Sequence, residues 1–208
     1  MKYPIGIQSF DQIIEDGYVY IDKTDLIYQL VKGGKIYFLS RPRRFGKSLL
    51  VSTLKCYFQG RKELFKGLAI DRLETEWAEY PVFHIDFSQT DFLNPNLLEE
   101  KLEENISAWE QIYGKGEFAF SLGSRFAYVL KQAHKQSGRR CVVLIDEYDK
   151  PVVDALGTGL KIKKDINELL LETYYKQLLG SFYSTLKASD EDLHFILITG
   201  MTRFTQAT

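Results

Sequence analysis

Gly46-Lys47-Ser48 and Asp146-Glu147 are the residues whose types and spacing could do chemistry in this chain. A glycine before a lysine and a hydroxyl residue allows a phosphate to approach the backbone closely. Lys47 then offers a point charge to β- and γ-phosphates, and Ser48 offers a hydroxyl to Mg²⁺. Asp146 directly follows an apolar run, as a metal-coordinating acid at a strand tip should. Glu147, one residue on, stands where a general base could polarise an attacking water. Each pair also has a plainer reading: a bare Gly-Lys-Ser can simply open a helix, and an acidic pair can serve the N-terminus of a helix starting near Pro151. Asp149 either extends the acidic environment or caps that helix. Thr199, Thr202 and Arg203 follow the last apolar run. There one of them could orient water or sense a γ-phosphate and Arg203 could stabilise transition-state charge, with ordinary loop polarity as the alternative.

The elements that must position these groups are legible from apolar periodicity. Ile36 to Leu39 is a buried-strand run, and Leu50, Val51, Leu54, Tyr57 and Phe58 recur at helical spacing beyond the basic turn. Strand, loop and helix in that order is the setting in which N–H groups at a helix N-terminus meet an anion. The first glycine of G-x-x-x-x-G-K-[ST] is missing, because Arg41 occupies it. Residues 81–87, 141–145 and 193–198 predict three further strands, the second of them, Cys141 to Ile145, being a continuous apolar run suited to a parallel strand covered on both faces. Tyr18 to Ile21 is a short β-like run. Helices are predicted near 24–32, after the basic turn, after an Asn94 cap with Pro95 in its first position, over Leu122 to Ala133, and from about Asp165 to Leu186. In the last of these Ile166, Leu169, Leu170, Leu178, Phe182 and Leu186 face inward, and Gly180 is a possible bend. Strands alternating with helices predict an α/β layered fold, with the ligand beyond the carboxyl ends of the strands.

Composition narrows the function classes. The chain has 208 residues, 45% hydrophobic and 26% charged, with formal net charge −1. That length supports one sizeable domain, and the near-neutral charge recruits neither nucleic acid nor a membrane surface. The densest basic cluster is Arg41, Arg43, Arg44 and Lys47, which could reach nucleotide phosphates, touch nucleic acid or form a solvated turn. Nucleic-acid recognition would want a broader basic face. Cys56 and Cys141 read as buried hydrophobes in a reducing compartment, so a cytoplasmic protein is expected, with no membrane span. His84 reads as a core histidine, and Asp86, at the end of its strand, as a further site candidate.

Residues 4–10 and 20–24, Ser40-Arg41-Pro42-Arg43-Arg44-Phe45-Gly46-Lys47-Ser48-Leu49, Asp146-Glu147-Tyr148-Asp149-Lys150-Pro151 and Thr199-Gly200-Met201-Thr202-Arg203-Phe204 together resemble the bacterial AAA-ATPase-like family. The arginine-proline form of the loop belongs to that family's own pattern. The resemblance implies an additional-strand P-loop NTPase core (RecA/AAA-like), a three-layer α/β sandwich with a mostly parallel sheet. It covers residues 1–208 as one domain: an N-terminal arm and helix over 1–34, and a core over 35–208 whose last strand and helical lid are expected to be missing. ATP and Mg²⁺ are the implied cofactors. Residues Arg43 to Leu49 would bind the nucleotide, Ser48 and Asp146 the metal, and Lys47, Glu147, Thr199 and Arg203 would carry catalysis. A nuclease-like C-terminal domain often follows in the family, so the implied partners are the nucleotide, such a domain, and a second copy if Arg203 acts in trans. Nucleic acid would be contacted only indirectly.

Overall fold

Four apolar runs become one parallel sheet in the computed structural model, which describes residues 1–164 and 167–202. They are β1 (Ile36–Ser40), β2 (Val82–Asp86), β3 (Cys141–Asp146) and, after two short strands described below, β6 (Leu193–Gly200), in the spatial order β1-β6-β3-β2. All three pairings are parallel, so every strand ends at the same edge. Ser40 lies beside Gly200 there, and Asp86 beside Asp146.

Side-chain alternation splits the sheet between two cores. Val142 and Leu144 of β3, with Phe195 and Leu197 of β6, pack under α1 (Phe10–Glu15), α2 (Thr24–Gly33) and α3 (Lys47–Phe58). Val143 and Ile145, with Phe83 and Ile85, pack under α4 (Leu97–Tyr113), α5 (Leu122–Ser137), α6 (Lys150–Ala155) and α7 (Leu171–Ala188). A strand buried on both sides must be apolar at every position, which is why β3 reads as an unbroken run. The result is a three-layer α/β/α arrangement with a mostly parallel sheet. Both cysteines are free and buried, and burial pushes their thiols up, to about 11 for Cys56 and about 12 for Cys141.

Four local expectations need correction. The helix predicted from Asp165 begins only at Leu171. Before it, β4 (Lys161–Lys164) and β5 (Asn167–Leu170) pair as an antiparallel ribbon. Lys161-Ile162-Lys163 alternates with period two, Ile162 is buried while its neighbours face solvent, and Lys161 Nζ meets Glu168 across the ribbon at 2.9 Å. Strand periodicity therefore prevails over the helical spacing read through Leu169 and Leu170. Ile166 lies outside the described residues. Gly180 does not end α7, which continues through it to Ala188. Tyr18 to Ile21 forms no strand, its link to the arm being Val19 N–H donating to the Lys2 carbonyl at 2.8 Å. The cap of α4 falls on Asn96 rather than Asn94, whose side chain accepts from Asn96 N–H at 3.2 Å while Tyr175 holds its carbonyl at 2.9 Å.

A charged clamp ties the two helices behind β2. Arg125 of α5 donates from Nε and Nη2 to the two carboxylate oxygens of Glu110 at 2.8 and 2.6 Å, and also reaches Glu103 and Ser107 of α4. Its side chain and that of Glu110 are nearly buried. Removing one member of such a pair strands the other charge, so Arg125→Met should cost about 3 kcal/mol. Thermal unfolding checks this: the midpoint should fall by roughly 6–12 °C in a chain of this size.

Candidate functional site

The loop after β1 turns because two of its residues adopt left-handed backbone. Arg44 has φ 67° and Gly46, the cap of α3, has φ 75°. Space is open around Gly46, so the backbone angle rather than crowding favours glycine there. Residues 41–46 are all exposed, including the arginines and Phe45, whereas Leu49 packs partly into the core under α3. The first turn of α3 has no side-chain cap, which leaves its N–H groups directed at the loop's concave side.

Lys47 is buried, and it turns back into this loop. Its Nζ donates to the Arg41 carbonyl at 3.1 Å and the Pro42 carbonyl at 3.3 Å, and it meets Glu147 Oε1 at 3.1 Å. The two side chains of that ion pair are only 3% and 14% exposed, so solvent screens the pair little. Glu147 reaches Lys47 from a left-handed backbone, φ 55°, a conformation that is uncommon for a non-glycine residue and that ends β3 abruptly. The basic loop and the acidic tip thus touch, although they are far apart in sequence.

Between them lies the end of β6. Thr199 is fully buried; its hydroxyl donates to Asp146 Oδ1 and accepts from Glu147 N–H at 3.3 Å. One threonine therefore orients both acids. Asp149 stands at the N-cap of the helix Lys150–Ala155, but its side chain makes no capping hydrogen bond and turns instead to the chain leaving β6. Its Oδ2 accepts from Met201 N–H at 2.9 Å and from Thr202 N–H and hydroxyl at 2.7 Å each, while Oδ1 is buried without a partner. Tyr148 OH donates to the Thr202 carbonyl at 2.8 Å. Asp149 and Tyr148 thereby hold the chain leaving β6 against the acidic tip, and this approach demands Gly200, where a Cβ would lie 2.5 Å from Tyr148 and 2.7 Å from Asp149. Arg203 lies outside the described residues.

Ser48 and Asp146 both line a cavity of about 720 Å³ that runs along α3 toward the N-terminal arm. Among the described residues the Ser48 hydroxyl makes no hydrogen bond, and Asp146 spends one carboxylate oxygen on Thr199, leaving the other for a ligand. A hydroxyl and a carboxylate oxygen are the hard donors Mg²⁺ takes when substrate phosphates complete its shell. No three His, Cys, Asp or Glu side chains gather to hold a metal by themselves among the described residues. The donors present fit a cation that enters with a phosphate ligand. His84 also lines the cavity. Burial pushes its pKa down, with Lys55 adding to that, and its Nε2 is buried without a partner. Neither this orphaned nitrogen nor the embrace of 201–202 by Asp149 had a local sequence signal beyond the polar residues themselves.

A parallel sheet carrying a basic loop–helix junction and an acidic strand tip at one edge makes this an α/β protein compatible with the P-loop class. The comparison with known families agrees: the profile described as Predicted AAA-ATPase matches residues 4–208. The chain belongs to that AAA-ATPase-like family. An uncharacterized protein in the vnfD 5′ region of Azotobacter chroococcum mcd 1 is 40% identical over 210 residues, a match that covers 100% of this chain and 38% of that relative. No solved structure matches the chain.

Proposed function

We propose that this chain is an ATP-binding, Mg²⁺-dependent NTPase module built on an additional-strand P-loop core. The observation that carries the reading is the Lys47–Glu147 pair at 3.1 Å, which joins the loop to the acidic tip in one buried site. The strand order supports it, since β6 is inserted between the loop strand and the acidic strand and delivers Thr199 to both. Bound ATP with Mg²⁺ supplies a γ-phosphoryl group whose charge the cation neutralises. On the protein side, the N-terminus of α3 and Lys47 bind phosphate, Ser48 and Asp146 hold the cation, Thr199 fixes the acids, and Glu147 takes a proton from water. Arg43, Arg44 and Phe45 form the exposed rim of the nucleotide site, and Arg203 is assigned to transition-state charge. Nucleotide state is coupled to further domains of a longer protein, among them a nuclease-like one, in a cytoplasmic setting and with a possible homo-oligomer; nucleic acid is at most an indirect partner. Among the described residues no helix is long and apolar enough to cross a membrane.

A second reading, a nucleotide switch that binds without hydrolysing, draws on the same ion pair, because Glu147 engaged by Lys47 is not free to act as a base. Calorimetric titration with ATP and Mg²⁺, run beside a phosphate-release assay, separates the two. The hydrolase reading expects both binding and turnover, and saturable binding with no release above background selects the switch. Absence of binding would overturn both.

A further inference from the structure

Asp86 sits where a second acid of the cation site would be placed. β2 and β3 are parallel and in register, with Asp86 beside Asp146 at their ends. Neighbouring strands lie about 4.8 Å apart, and residues in register share a face. Val142 and Leu144, four and two residues before Asp146, pack under α3, so Asp146 and Asp86 both project toward the face on which Ser48 lies in the first turn of that helix. All three line the 720 Å³ cavity.

The hydrogen-bond inventory leaves Asp86 half used. Its Oδ1 accepts from Ser88 N–H at 2.7 Å, a turn contact that fixes the carboxylate's direction. Among the described residues its other oxygen takes no protein donor. Two residues back along β2, His84 lines the same wall, and among the described residues its Nε2 is buried without a partner. Ser52, Lys55 and Gln89 line the cavity as well, so it suits polar contents. The space is sufficient: six waters at about 30 Å³ each occupy about 180 Å³, well under the volume present.

Resting on the nucleotide-binding reading above, we propose that Asp86 is a positioning carboxylate of the cation end, acting on the water shell of a divalent ion held by Ser48 and Asp146. Mg²⁺ dehydrates reluctantly and keeps several waters when bound to one or two carboxylates and substrate phosphates. Asp146 has one oxygen committed to Thr199, so a neighbouring acid that accepts from those waters adds order and charge where the first acid is partly engaged. Outer-shell partners of this kind change metal affinity about 10- to 100-fold.

The test compares affinities for a non-hydrolysable ATP analogue in excess Mn²⁺ and in EDTA, by calorimetry on the full chain. Their ratio reports the cation's contribution without any turnover. Asp86→Asn, which preserves shape and the Ser88 contact, should lower that ratio about 10-fold while leaving the EDTA affinity unchanged. Asp86→Glu should recover part of it. A ratio equal to wild type overturns the proposal and leaves the nucleotide-binding reading standing. Equal losses in Mn²⁺ and EDTA also overturn it, since Asp86 would then serve only the turn that ends β2. Failure of the wild-type chain to bind the analogue in either condition would remove the underlying reading and this proposal with it.

Discussion

Lys47→Ala is expected to abolish nucleotide binding, with affinity for ATP and Mg²⁺ falling at least about 100-fold, or ~2.8 kcal/mol. Lys47 is the one buried cation of the loop, placed at the first turn of α3 with its ammonium directed at the loop's concave side. The arginines at 41, 43 and 44 are exposed and cannot take over a position inside the turn. Hydrogen bonds from a charged donor each contribute about 1.5–3 kcal/mol, so loss of the ammonium accounts for the predicted size. The substitution also leaves Glu147 and the carbonyls of Arg41 and Pro42 without their partner, so the thermal midpoint should be measured alongside. Lys47→Arg should fail as well, because a planar guanidinium does not reproduce a point charge shared between two carbonyls and a carboxylate. An unchanged dissociation constant in a folded Lys47→Ala protein would remove the loop from the nucleotide site.

Glu147→Gln should separate binding from turnover. The amide keeps the size of the carboxylate and can still accept from Lys47 Nζ, but it cannot take a proton from water. Hydrolysis should therefore drop by about 10²–10⁴-fold, the range general-base catalysis supplies. Binding should be retained and even tightened, because the buried ion pair that competes with phosphate for the Lys47 ammonium is weakened. A quench-flow or steady-state phosphate assay on the full-length protein measures the first effect, and calorimetry with ATP the second. Normal hydrolysis would sink the role given to Glu147 and direct attention to the other acids at this edge, Asp86 first among them. Loss of binding together with turnover would show instead that the left-handed turn at this residue needs the ion pair to form.

How far the site could be read from residues alone depended on the range of the contacts involved. The strand before the loop, the helix after it and the acid ending β3 each follow from apolar spacing over a few residues, and they formed where that spacing placed them. The ribbon at β4 and β5 was misread because Leu169 and Leu170 suit a helix as well as a strand, and only pairing with Lys161 and Ile162 selects between them. Asp149 was left with two local roles. Its actual partners, the N–H groups of Met201 and Thr202, arrive on another strand. His84 was read as a core histidine from its apolar strand, yet its ring reaches a polar cavity that exists only once α3 and the N-terminal arm are packed.

The sequence by itself determined the four strands of the parallel sheet and the helices α2 to α5, that a basic loop opens α3, and that β2 and β3 both end in acids, because residue type and period act within a single element. Only the tertiary structure decided that β6 lies between β1 and β3, that Thr199 orients Asp146 and Glu147 together, that Lys47 rests on Glu147, and that Asp86 stands beside Asp146. Those outcomes come from strand order and register, which are set by burying two faces of one sheet at once and leave no mark on any short stretch of chain. The basic loop that departs from the usual motif, with Arg41 in place of a glycine, meets its buried acidic partner only through folding.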